Sequence, residues 1–186
     1  KTPDYTIYDR LVANGYHRKN MRNTLQINNG DGFFTEVGQM AGVSASDWSW
    51  ATLFADFDND GHKDLYITNG FPRFYTDLDY LNDILWEQFP DSDLPDDPDL
   101  KYELSQQMEP VEMHNFSFKN EGHYSFKDAS QDWGLNKYAV SSGAAYADLD
   151  NDGDLDLIVN HINDKAGIYQ NHSPEEKRYL KLSLNY

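Results

Sequence analysis

The sequence predicts an all-β chain built as part of a β-propeller, about two four-stranded blades with cation-binding loops, interrupted by a mostly helical insertion. Three observations carry this. The stretch "ADFDNDGHKDLYITNG" at residues 55–70 returns ninety-two residues later as "ADLDNDGDLDLIVNH" at 147–161, and a fixed period of this size marks a repeat architecture. The apolar residues around both copies come in short alternating or block runs of strand length, Leu53, Phe54 and Ala55 before the first acidic loop and Leu65, Tyr66 and Ile67 after it. Turn residues in "INNGDGFF" and "KNEGHYSF" sit between aromatic and β-branched positions, which is a hairpin signal.

Taken in order, "NGDGFFTEVGQMAGV" (29–43) is answered by "NEGHYSFKDASQDWGL" (120–135), and "WATLFADFDNDGHKDLYITNG" (50–70) by "GAAYADLDNDGDLDLIVNH" (143–161). A third partial copy starts at "GIYQN" (167–171). One unit therefore reads strand, acidic loop, strand, connector, strand, tight turn, strand, which is the size of a propeller blade. Residues 1–73 are expected to hold the end of one blade and the first half of the next with loop 1, and 113–171 the rest of that blade and the start of another with loop 2. A closed propeller needs at least about four blades, so the remainder is expected from elsewhere.

Between these halves, residues 74–112 form an acidic insertion. Leu78, Leu81 and Leu85 predict an amphipathic helix over 76–89, "PDSDLPDDPD" (90–99) a loop, and "DPDLKYELSQQM" (97–108) a second helix with Pro98 at its first position. Phe71, Phe74, Tyr75, Tyr80, Trp86 and Phe89, beside the acidic run from Asp91 to Asp99, suggest that 71–112 binds a protein or glycan partner. The competing reading is a cap on an exposed blade edge. Trp48, Trp50 and Trp133 are expected to pack core between blades, with sugar stacking as the alternative.

Of 186 residues 39% are hydrophobic and 15% aromatic, which excludes a disordered acidic tail, while a formal charge of −17 argues against nucleic acid and anionic membranes. Cations are the expected partners. There is no cysteine, so no disulfide, thiolate site or Cys nucleophile is available, and no apolar run reaches the length of a membrane span. Any export signal is expected upstream of Lys1.

The aspartate spacing fits a hard cation, since alternating residues of a tight loop aim positions 1, 3 and 5 inward and calcium takes six to eight oxygen ligands. In loop 1 the expected ligands are Asp56, Asp58 and Asp60, the carbonyl of His62 and Asp64; Gly61 permits the turn. In loop 2 they are Asp148, Asp150 and Asp152, the carbonyl of Asp154 and Asp156, with Gly153 at the turn. An EF-hand would need glutamate at position 12, where Ile67 and Val159 stand. Ligation is therefore expected to close at position 9, with strands on both flanks and two Ca²⁺ ions per chain.

These residues resemble the FG-GAP, or VCBS-type, calcium loops of integrin α-subunit propellers. More narrowly, residues 10–73 and 113–184 are similar to bacterial repeat proteins of the ASPIC/UnbV (cartilage acidic protein-like) family, with "IYQNHSPEEKRYLKLSLNY" (168–186) resembling the run into the ASPIC/UnbV domain, whose first strand 172–186 would hold. The resemblance implies an exported, extracellular or outer-membrane-surface bacterial protein that serves as a binding or scaffolding module. No glycine-rich phosphate loop, HExxH pair or GxSxG elbow occurs, and His17, His62, His114, His123, His161 and His172 fall at no ligand spacing, so no catalytic residue is assigned. The alternative is a propeller belonging to a polysaccharide-acting enzyme.

Overall fold

The computed structural model describes residues 5–16, 21–74 and 97–172, in two compact units: Lys1–Arg22 with Arg73–Pro110, and Asn23–Pro72 with Val111–Tyr186. In the first, α1 (Tyr5–Ala13) ends where the Asn14 N–H donates to the Arg10 carbonyl (3.1 Å). Helix α2 (Pro98–Gln106) begins as its sequence dictates: the Asp97 side chain accepts from the N–H groups of Asp99 and Leu100, and Pro98 stands where no donor is needed. The helix expected at 76–89, and with it Tyr75, Tyr80, Trp86 and Phe89, lies outside the described residues. No described helix is long and apolar enough to cross a membrane.

The second unit is β-rich and antiparallel. Strands β1 (Gln26–Asn28) and β2 (Phe34–Glu36) form one hairpin. β3 (Ser49–Ala55), β4 (Asp64–Asn69), β6 (Phe116–Asn120) and β7 (Phe126–Asp128) form a four-stranded sheet in that order, and β9 (Ser141–Ala147), β10 (Asp156–His161) and β11 (Gly167–Tyr169) a three-stranded one. The four-stranded sheet has the strand number of one propeller blade. A short extra pair, β5 (Met113–His114) with β8 (Tyr138–Ala139), stands beside them. The insertion leaves and returns through one bridge, in which Phe71 and Val111 exchange main-chain bonds at 3.2 and 3.0 Å.

Alternation along β4 explains the packing. Successive side chains of a strand point to opposite faces, and all six residues of β4 are buried. Leu65 and Ile67 join Ala41, Val43 and Phe118 in one core, while Tyr66 joins Leu157 and Val159 in another. A strand buried on both faces is what a blade stacked between neighbours requires. Burial also raises the Tyr66 hydroxyl's pKa far above its usual value, so it stays neutral.

The tryptophans correct the expectation of core packing. Trp48 and Trp50 are 44% and 51% exposed. Both serve the bend after β4 instead: Trp48 lies 4.8 Å from the Phe71 ring centroid, and the Trp50 indole N–H donates to the Gly70 carbonyl. Phe71 is itself buried, so it is spent within the fold and is no free anchor. Gly70 has φ +99°, and a Cβ there would meet the Ala139 carbonyl oxygen at 2.7 Å and Val140 Cα at 2.9 Å. Gly70→Ala is thus expected to cost about 3 kcal/mol or more, because strain and a backbone clash coincide; urea unfolding checks this.

His161 is a buried imidazole in β10, its Nδ1 3.0 Å from the Ser141 hydroxyl. Burial, reinforced by Lys137, pushes its pKa below the ordinary histidine value, against a smaller opposing effect from Asp164. The unfolded chain then takes up a proton that the folded chain resists, so stability present above pH ~6.5 is lost as pH falls through the depressed folded value. The position one repeat earlier is the buried Asn69. His161→Asn is expected to flatten the fall in Tm between pH 7 and 5 relative to wild type, as read by thermal melts.

Candidate metal centre

Each acidic loop joins two strands of one sheet, residues 56–63 between β3 and β4 and 148–155 between β9 and β10. The chain reverses through two left-handed positions in each. Asn59 and Asn151 have φ 54° and 64°, Gly61 and Gly153 φ 89° and 96°. Asparagine tolerates this region better than most residues with a Cβ, and glycine adopts it freely, so the "DNDG" spelling is a backbone requirement as well as a charge pattern.

The turn brings the expected ligands together as two triads: Asp56, Asp58 and Asp60, and Asp148, Asp150 and Asp152, each with one carboxylate oxygen per residue within 4.8 Å of the others. In loop 1, Asp56 accepts from the N–H groups of Asp60 (3.0 Å) and Gly61 (2.9 Å), and Asp60 from that of His62 (2.9 Å). In loop 2, Asp150 accepts from the Asp152 N–H (3.2 Å) and Asp152 from that of Asp154 (2.9 Å). His62 and Asp154 thus follow the turn at the expected place, and the Asp154 carboxylate accepts from the Asn59 side chain across the two loops at 2.6 Å.

Asp64 and Asp156 stand apart from the triads, at the first residue of β4 and β10, 0% and 2% exposed. Each spends both oxygens on main-chain donors. Asp64 accepts from Phe57 N–H (3.0 Å) and Asn120 N–H (2.9 Å); Asp156 accepts from Leu149 N–H (2.9 Å) and Asn171 N–H (2.8 Å). A carboxylate has about four lone-pair sites, so each oxygen keeps one for a cation. Burial raises the Asp64 pKa, the two N–H donors oppose the rise, and the Asp58 and Asp60 charges add to it. A cation beside it would favour the ionised form.

Sequence reading missed Lys119, Asn120, Gln170 and Asn171. Lys119 Nζ pairs with Asp58 and, at 3.1 Å, with Asp60; its pKa is raised chiefly by the bond to Asp58. Gln170 Nε2 donates to Asp150 at 2.6 Å, and this bond chiefly lowers the Asp150 pKa. The Asn120 side chain donates to the Lys63 carbonyl (2.9 Å), and that of Asn171 to the carbonyls of Leu155 (3.2 Å) and Phe57 (2.6 Å). The signal lay in aligning "FKN" (118–120) with "YQN" (169–171) as the third strands of successive blades.

The donor set fits a divalent cation. Asp148 Oδ1 is buried in its triad without a hydrogen-bond partner among the described residues, and a bare buried carboxylate oxygen carries a desolvation cost that an ion offsets. All-oxygen, carboxylate-rich donors suit calcium, magnesium or manganese and disfavour thiophilic metals. Between the loops and β11, a cavity of about 860 Å³ is lined by Phe57, Trp133, Leu157, Tyr169 and Lys119, which places the half-buried Trp133 on a cavity wall.

Residues 8–67 match the family model of the FG-GAP-like repeat, a span that includes β1 to β3, loop 1 and most of β4. The chain carries an FG-GAP repeat there, consistent with the blade arrangement above. No match to a curated protein was found.

The two roles of the aspartates separate in the absence of metal. Asp156→Ala leaves two main-chain donors without their acceptor and is expected to cost about 3 kcal/mol in chelator. Asp150→Ala, at an exposed triad position, is expected to cost under about 1 kcal/mol there. Chemical denaturation of both variants in metal-free buffer checks the contrast.

Proposed function

We propose that this chain is a calcium-stabilised FG-GAP propeller segment, acting outside the cell as a non-catalytic binding or scaffolding module. The observation that carries the reading is the pair of three-carboxylate triads, set in the same turn of two acidic loops ninety-two residues apart, each loop followed by a buried aspartate. Asp56, Asp58, Asp60 and Asp64 would hold one ion and Asp148, Asp150, Asp152 and Asp156 the other, with the His62 and Asp154 carbonyls completing each shell. A bound ion supplies positive charge that lets several carboxylates share one turn, and so fixes the two strands that the turn joins.

Calcium is favoured over magnesium because the loops are irregular and carboxylate-rich, whereas magnesium demands near-octahedral geometry and retains water. The export and surface location rest on the resemblance to FG-GAP and ASPIC/UnbV proteins, whereas the partner-binding role proposed for 71–112 rests on its aromatic residues beside an acidic run. Of that segment, Phe74 and Tyr102 are exposed among the described aromatics, at 40% and 65%.

Calorimetric titration with CaCl₂ is expected to count two ions per chain, with Kd on the order of 10⁻⁴ to 10⁻³ M as in extracellular modules. A hundredfold excess over Kd is expected to stabilise the fold by about 2.7 kcal/mol per site, a rise in Tm of roughly 5–10 °C for each. No heat and no change in Tm on chelation would overturn the calcium reading; turnover of a polysaccharide by the purified chain would overturn the non-catalytic one.

A further inference from the structure

We propose that Lys119 is a tethered cation that makes the two acidic loops unequal: loop 1 takes a divalent ion more weakly than loop 2 and is held together without one. This rests on the calcium reading above and adds a residue that sets the order in which the loops fill.

The comparison is internal to the molecule. Asn120 and Asn171 do the same work in successive blades, each main-chain N–H donating to the buried aspartate of its loop and each side chain to the carbonyl just before that aspartate. The residue preceding each asparagine is therefore presented to its loop in the same way. In loop 2 that residue is Gln170, whose neutral amide meets Asp150 at 2.6 Å. In loop 1 it is Lys119, whose ammonium reaches Asp58, the counterpart of Asp150, and also Asp60. The two arrangements differ by one positive charge on the same carboxylate.

That charge acts twice. An ion entering loop 1 must either displace the ammonium from two of its three triad carboxylates or share them with a like charge, and affinity in such sites follows the net charge of the ligand set. Displacement is open to it, because the Lys119 side chain is 34% exposed and ends a flexible four-carbon stem. With no ion present, the same ammonium offsets repulsion among Asp56, Asp58 and Asp60. Loop 2 has no such counter-charge from Gln170, whose amide is neutral.

The test titrates the full chain with CaCl₂ in two backgrounds, Asp150→Ala to leave loop 1 and Asp58→Ala to leave loop 2. Adding Lys119→Gln to the first is expected to tighten loop 1 by about tenfold, and adding Gln170→Lys to the second to weaken loop 2 by a similar factor. In chelator, Lys119→Gln alone is expected to melt below wild type, and saturating calcium to restore it. An unchanged loop 1 affinity with calcium still bound, or an unchanged melting temperature in chelator, overturns the role of Lys119 while leaving the calcium reading standing. No binding in either background overturns both.

Discussion

The structure depends on one bond pattern, used twice: a buried aspartate at the start of a core strand whose two oxygens accept main-chain N–H groups from either side of it. Asp64 ties the second residue of its loop to the end of β6, and Asp156 ties the corresponding residue of the next loop to the chain just after β11. Each carboxylate thereby joins a turn, the strand it opens and the third strand of the blade. Charge-assisted bonds to main-chain donors are among the stronger hydrogen bonds, and here they are shielded from water. The triad above each aspartate stands on this staple, which helps to set the path of the loop.

Blade stacking supplies the apolar half of the same design. β4 lies between two cores, with Leu65 and Ile67 facing one and Tyr66 the other. The contacts extend to the acidic end, where Asn171 donates to the Phe57 carbonyl and Asn59 to Asp154. The two loops are thus neighbours linked through side-chain amides, although they belong to different sheets. Concentrated carboxylates at this end account for part of the −17 charge of the chain. A field of this sign raises the local concentration of cations and lowers that of anions.

What the sequence determined by itself was whatever is encoded locally and written twice. The ninety-two-residue period, the strand runs on either side of each loop, the hairpin turns and the "DNDG" spelling are all properties of neighbouring residues, and β3, β4, β9 and β10 lie where they place them. The start of α2 was legible for the same reason, since Asp97 and Pro98 specify a helix N-terminus without help from the rest of the chain. Departure from the EF-hand pattern at Ile67 and Val159 pointed to flanking strands, and the second strand of each pair begins at position 9, on Asp64 and Asp156.

Tertiary structure decided the contacts made across long separations. Lys119 is 61 residues from Asp58 and Asn171 is 114 from Phe57, distances over which spacing carries no information about approach. The forty-residue insertion hid the alignment of "FKN" with "YQN", and with it the third strand's part in each loop. Aromatic residues were misjudged for a related reason: Trp48 and Trp50, expected in a core, and Phe71, expected as a partner anchor, pack about the bend at Gly70, whose crowding comes from Ala139, Val140 and Val111 far along the chain. Local pattern sets which way a side chain points along its own strand. Only the folded sheet decides what it meets there, because the neighbour is supplied by a distant part of the chain.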